Sequence, residues 1–262
     1  MNARALAGTF VFVLAACGGG GSAGVPGLPI ANPPFAGPPV APQGSASLTI
    51  TVPPRTTSTM RSTRFVSPNA ASLVITVVTV NGIAPTATQA PVNPTTVALS
   101  TAGGGNCTVS PSGETCTVAL PAPTGSVKYL LQLEDGAARV LATNTVTFTI
   151  VASAANQSFA AQLNGVVASV VVTAPKLGAG TSFSGPITVQ AFDASGALIV
   201  GSAPYANAFT LTDNDASGHT SLTDNGTTAL TVTVLSPNDV VILNYDGASI
   251  AQPTFTATIP PG

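Results

Sequence analysis

The chain has no tryptophan, one histidine and three cysteines in 262 residues, and only 6% of it is charged. Each scarcity removes something. Glycan-binding modules stack sugars on exposed rings, and this sequence offers no Trp and only Tyr129, Tyr205 and Tyr245 for that purpose. The single histidine, His219 in "DASGHTSL", satisfies the count a Ser-His-Asp triad needs, yet no Gly-x-Ser-x-Gly elbow accompanies it. It reads as a solvent-facing loop residue, and the chain as no enzyme. A net charge of −2 gives neither nucleic acid nor an anionic lipid surface anything to be drawn to. Bases are scarcest of all at the C-terminal end. Gly18 to Lys176 holds six (Arg55, Arg61, Arg64, Lys128, Arg139, Lys176) against three acids, whereas Leu177 to Gly262 holds six acids and no base.

The N-terminal apolar run from Ala5 to Ala16, after Arg4, is too short for the roughly 20 residues that cross a bilayer core, and its length suits the core of a secretory signal. Residues 1–16 are therefore expected to be removed. Leu14-Ala15-Ala16-Cys17 resembles the lipobox of bacterial lipoproteins, which implies that Cys17 receives a diacylglyceryl group and becomes the mature N-terminus. Two or three acyl chains on one residue make a stable anchor where one is marginal. Residues 17–45 then read as lipidated cysteine and tether: four glycines follow Cys17 and a Pro-rich, uncharged stretch follows them. The 28 residues from Gly18 to Ser45 would span roughly 30 Å as a coil and about 87 Å as extended polyproline II. The expected place is the bacterial cell envelope, lipid-anchored, facing the periplasm or exterior, with the membrane as partner through the N-terminal lipid.

Beyond the tether, apolar residues alternate with hydroxyl residues in "SLTITV" at 47, "LVITVVTV" at 73, "TVTFTI" at 145, "ITVQAF" at 187, "LTVTVL" at 230 and "TFTATI" at 254. That period of two marks half-buried strands. Turn clusters such as "SPNAA", "SPSGE", "DASG" and "SPND" separate them, and no stretch carries a helical period. The fold class expected is all-β: two tandem antiparallel β-sandwiches of immunoglobulin-like size, over 46–164 and 165–262, with Asn164-Gly165 as the turn at the seam. One large sandwich over the whole region is the alternative.

"SPNAASLVITV", "NCTVSPSGETCTV", "LNGVVASV" and "VQAFDASGALIVG...LTDNDASG" together resemble a group of uncharacterised bacterial lipoproteins with immunoglobulin-like domains. The resemblance covers about residues 46 to 225. It implies fold and location, and it supplies no activity and no functional residues.

Cys107 and Cys116 flank "TVSPSGET". Folded back about Pro111-Ser112, a strand pair sets 107 opposite 116 and 108 opposite 115, the separation a cross-strand disulfide needs. An exported protein favours that state, and a redox dithiol or metal ligation is the weaker reading because the spacing is not Cys-x-x-Cys. In "DNDASGHTSLTD", Asp213, Asp215, Ser217 and Asp224 occupy positions 1, 3, 5 and 12 of a calcium loop, with Gly218 at position 6. Asp replaces Glu at position 12 and no helices flank the segment, so a polar strand-to-strand loop of Asx turns is the competing reading. Arg55, Arg61 and Arg64 in "PPRTTSTMRSTRF" read as a solvated loop, or as a hold for phosphates or acidic sugars. The functional expectation is a non-catalytic envelope spacer, adhesin or scaffold, with an envelope glycan or protein as partner. The alternative is a carbohydrate- or calcium-binding module.

Overall fold

A computed structural model describes residues 43–52, 67–100, 105–110, 113–152, 156–248 and 252–261. Cys17, the tether and the Arg55–Arg64 segment lie outside them. The first half contains β1 (Ala46–Val52), β2 (Ser72–Val80), β3 (Thr95–Ala98), β4 (Cys107–Ser110), β5 (Gly113–Ala119), β6 (Gly125–Glu134), β7 (Val140–Ile150), β8 (Gln157–Ala160) and β9 (Asn164–Gly165). The second contains β10 (Ser169–Thr173), β11 (Phe183–Pro186), β12 (Thr188–Phe192), β13 (Phe209–Asp213), β14 (Thr220–Asp224), β15 (Thr227–Ala229), β16 (Thr231–Val234), β17 (Ile242–Tyr245) and β18 (Phe255–Thr258). Among the described residues there is no helix. All six alternating segments are strands.

Each half stacks sheets whose alternation turns one face inward. In the first half the orders are β4-β5-β1-β8 and β3-β2-β6-β7-β9. Leu48 and Ile50 of β1 face Leu73, Ile75 and Val77 of β2 and Val127, Tyr129, Leu131 and Leu133 of β6, all buried in one core. Every pairing is antiparallel except β1 with β8. In the second half the orders are β11-β17-β14-β15, β16-β13-β18 and the pair β10-β12. Phe209 and Leu211 of β13 meet Leu222, Leu243, Val232 and Val234 inside. Burying such side chains contributes roughly 1.5–3 kcal/mol each.

Among the described residues, no hydrogen-bonded sheet joins a strand up to Gly165 to one from Ser169 onward, so the halves are distinct in their ladders. They are nevertheless continuous in packing, since Val40–Gly262 forms one compact unit. The seam also differs from the expected turn. Asn164 and Gly165 are extended and pair with Thr143 and Ala142 of β7, because the Asn-Gly pair here has a free strand edge to complete. The chain changes sheet over residues 166–168. There the buried Asn207 side chain holds Val167 from both sides, its Oδ1 accepting the Val167 N–H at 2.7 Å and its Nδ2 donating to the Val167 carbonyl at 3.0 Å and to the Pro260 carbonyl at 3.1 Å. Ser195 closes the junction elsewhere, contacting Ser67 Oγ at 3.3 Å and accepting from Asn69 Nδ2 at 3.1 Å.

The Asn207 arrangement recurs. Asn93 pairs with the N–H and carbonyl of Val77 at the β2 bulge, Gln157 with those of Val151, and Gln252 with those of Leu177. A side-chain amide carries one donor group and one acceptor, so it can replace a peptide where the ladder breaks. In a chain so poor in charge, neutral amides do the tying that ion pairs do elsewhere.

The halves also share a turn. After β6, Asp135 Oδ1 accepts from the N–H groups of Ala137 and Arg139, and the Asp135 N–H reaches the Arg139 carbonyl. After β12, Asp193 Oδ1 accepts from Ser195 and Ala197, and its N–H reaches the Ala197 carbonyl. The fourth residue has positive φ in both, Ala138 at 57° and Gly196 at 82°. The turns differ at the fifth residue: Arg139 Nε donates to Asp135 Oδ2 at 2.7 Å, whereas Ala197 leaves Asp193 Oδ2 buried without a partner.

Candidate functional site

The cysteine pair stands as its spacing implied. Cys107 lies opposite Cys116 and Thr108 opposite Thr115, and the two sulfurs are bonded, with 4.0 Å between the Cα atoms. Among the described residues, Cys107, Glu114 and Cys116 are the only three metal-ligating side chains converging within 4.8 Å. Both sulfurs are spent on each other.

The calcium-loop residues are not brought to one point. Asp213 ends β13 and Asp224 ends β14, while position 8, Thr220, already begins β14. From there the chain runs extended, so position 12 lies roughly 13 Å further along at about 3.3 Å per residue. A calcium loop needs position 12 to curl back on position 1, and a strand carries it away. Asp215 is occupied besides. Its Oδ1 accepts from the Ser217 N–H and hydroxyl, and its Oδ2 from the N–H groups of His219 and Thr220 and the Thr220 hydroxyl. Those bonds, the Ser217 hydroxyl first, hold its carboxyl well below the usual carboxylate range. This loop is shaped by Asx bonding, and Asp215 serves the backbone.

His219 is not an isolated loop residue. His219 and Asp246 flank the ladder pair Thr220–Tyr245 of β14 and β17, and the imidazole Nδ1 lies 2.8 Å from Asp246 Oδ2. Asp246 Oδ1 accepts the Ala248 N–H at 2.9 Å. That bond first, then His219, lowers the Asp246 carboxyl below its ordinary value. The pair borders a cleft of about 370 Å³ lined also by Ser182, Phe183, Ser184, Ser221 and Asn244. The lining follows from register: Ser184, Asn244 and Ser221 stand side by side on β11, β17 and β14 and share an outward face. Ser184 Oγ donates to Asn244 Oδ1 at 2.8 Å, and Asn244 Nδ2 to Thr223 Oγ1 at 2.9 Å. Among the described residues, no hydrogen bond joins Ser182, Ser184 or Ser221 to the imidazole, so the Asp–His pair is not completed into a triad. The cleft can offer hydroxyls, an amide, a carboxylate and an imidazole to a neutral polar ligand.

Sequence reasoning missed Asp246 and Asn244 because alternation in "ILNYDG" places them on one face but names no partner strand. All three tyrosines are buried, and burial pushes the hydroxyls of Tyr129 and Tyr205 above their ordinary pKa. None is left as a stacking platform. No protein-family model, curated protein or solved structure matches this chain.

Proposed function

We propose that this chain is a non-catalytic, lipid-anchored bacterial envelope protein in which two tandem immunoglobulin-like sandwiches, 46–164 and 165–262, act as a spacer or scaffold beyond the tether. The observation that carries the spacer reading is the junction. Ser195, bonded to Ser67 and Asn69, joins the two halves, and Asn207, bonded to Val167 and Pro260, fixes the segment that follows the seam to the body of the second half, all with neutral hydrogen bonds that salt does not screen. A spacer needs that stiffness. The shared Asp turn after β6 and β12 supports two units of one kind. Anchoring rests on Leu14-Ala15-Ala16-Cys17. The test is Cys17→Ser: the exported variant is expected in the soluble fraction, and mature variant that still partitions with detergent-soluble membrane overturns the anchor. Stiffness is tested by small-angle scattering at 50 mM and 500 mM salt, where a changing maximum dimension would refute it.

A second reading, binding of a neutral envelope glycan, is favoured by the His219–Asp246 cleft and opposed by the burial of every tyrosine. Retention on envelope polysaccharide, lost in Asp246→Ala and Asn244→Ala, would establish it.

A further inference from the structure

One face of the second half is split by a slot between two strand edges. β10 has a single ladder neighbour, β12, and β18 a single one, β13, so each keeps one edge without a partner. The two strands border one cleft of about 460 Å³, walled by Val170, Val172 and Ala174 on one side and by Phe255 and Ala257 on the other. Its ends are tied. At one, the Gln252 side chain accepts the Leu177 N–H at 3.1 Å and donates to the Leu177 carbonyl at 2.8 Å; at the other, Asn207 bonds both Val167 and Pro260. The stretches between, 168–176 and 253–259, therefore run in opposite directions, and among the described residues no backbone hydrogen bond joins them. Proline hinders the walls from zipping together. Pro175 and Pro253 stand near the Leu177 end and Pro260 at the other, and none has an N–H to give a ladder.

The walls decide what the slot can take. An unpaired strand edge repeats N–H and carbonyl groups every second residue, a spacing that another extended chain matches and a sugar or lipid does not. The side chains agree. Val170, Val172, Phe255 and Ala257 are half-buried and rest on the core, so the floor is apolar and receives every second side chain of an occupant. From Val170 to Lys176 the wall is roughly 20 Å long, which about six residues of extended chain fill. Charge adds a direction. Lys176 lines the Leu177 end, is exposed, and is the only base after Arg139. Among the described residues the ion pairs are Arg139–Asp135 and His219–Asp246, and no acid lines the slot, so the Lys176 ammonium is unmatched.

We propose that the second half binds an extended segment of a partner protein in this slot, as a strand between β10 and β18, with apolar residues alternating toward the core and a carboxylate at the Lys176 end. Main-chain bonds to the two edges supply affinity, and the alternate side chains together with Lys176 supply selectivity. The guest strand runs parallel to one wall and antiparallel to the other, and it joins β12-β10 to β18-β13-β16 in one sheet. This gives the scaffold reading a class of partner. It does not depend on the lipid anchor, which Cys17→Ser tests separately.

The test is fluorescence anisotropy of labelled peptides with the full chain. The first probe alternates valine and threonine over about six residues with glutamate at both ends, the second carries lysine at both ends, and the third has proline in place of each threonine. The glutamate peptide is expected to bind about two- to fivefold more tightly than the lysine peptide, the range of one exposed ion pair, and the proline peptide not to bind. Lys176→Glu, a change at an exposed side chain, reverses the order of the first two. Hydrogen exchange with the glutamate peptide bound slows at residues 168–176 and 253–259. No binding of the glutamate peptide at about 1 mM, equal binding of the proline peptide, an unchanged order in Lys176→Glu, or protection confined to other strands would each overturn the slot. Dimerisation of the chain alone that protects the same amides would overturn the partner protein and give the slot to a second copy.

Discussion

Removing the Asn207 side chain tests whether one neutral amide holds the connecting segment after the seam onto the second half. In Asn207→Ala three hydrogen bonds disappear at once, to the Val167 N–H, the Val167 carbonyl and the Pro260 carbonyl. Their costs differ. Pro260 is exposed and its carbonyl rehydrates, whereas Val167 is 3% exposed and keeps an N–H and a carbonyl without partners. At about 1–3 kcal/mol for each buried group left unpaired, and with water entering part of the vacated space, the loss is about 2–4 kcal/mol. With a urea m-value of roughly 2–3 kcal/mol/M for a chain of this size, the midpoint falls by about 1 M. Asn207→Asp sharpens the test. It retains an acceptor for the Val167 N–H but sets a negative charge against two carbonyl oxygens, so it should cost at least as much as alanine. Limited proteolysis should report the same event as new cleavage between Leu163 and Ser169. A loss under about 0.5 kcal/mol in the alanine variant, or an aspartate variant as stable as wild type, would refute the clamp.

Replacing Cys107 and Cys116 by alanine reopens a ten-residue loop and should cost about 3 kcal/mol in urea unfolding, whereas an unchanged midpoint would mean that the bond constrains nothing. Ala138→Gly should stabilise by roughly 0.5–1 kcal/mol and Gly196→Ala should destabilise by about 1 kcal/mol or more, because both sites have positive φ in matched turns; thermal melts giving the same sign for both would break the equivalence. For pH, the Asp224 carboxyl is raised in the fold, so its contribution favours the folded state below the unfolded-state pKa and is lost as pH rises through the folded value. Asp224→Asn should therefore gain stability over wild type at pH 8 and little at pH 4, and the reverse order would contradict a raised carboxyl. Asp215 is lowered, so its contribution is present above the unfolded pKa and fades as pH falls; Asp215→Asn should lose more at pH 7 than at pH 3.

How much of this was legible in the sequence depends on whether a feature is local. The six alternating segments all became strands, because alternation with β-branched residues is itself the cause of a half-buried strand. The Cys107–Cys116 register was legible for the same reason: a tight hairpin fixes its own pairing. The central strand β6 was not. In "GSVKYLLQLE" Leu130 sits between Tyr129 and Leu131 and hides the alternation, although Val127, Tyr129, Leu131 and Leu133 all turn inward once β2 and β7 pair on either side. Asn164-Gly165 failed in the other direction. The pair is a strong turn signal in isolation, but the open edge of β7 gave it a ladder to join, and a tertiary partner outweighed local preference.

The acidic residues carry the same lesson into chemistry. Asp213, Asp215, Ser217 and Asp224 match a calcium loop when counted along the chain, and counting assumes that the segment curls upon itself. Here the stretch from Thr220 onward pairs with β15 on one side and β17 on the other, which commits it to β14 and sends Asp224 to the far end. The partners each acid acquires are then set by strand pairing. Asp246 meets His219 because β17 lies beside β14 and sets Thr220 opposite Tyr245. In this fold an acid's partners are read across the sheet, from the strand beside it, and counting positions 213 to 224 along the chain does not find them.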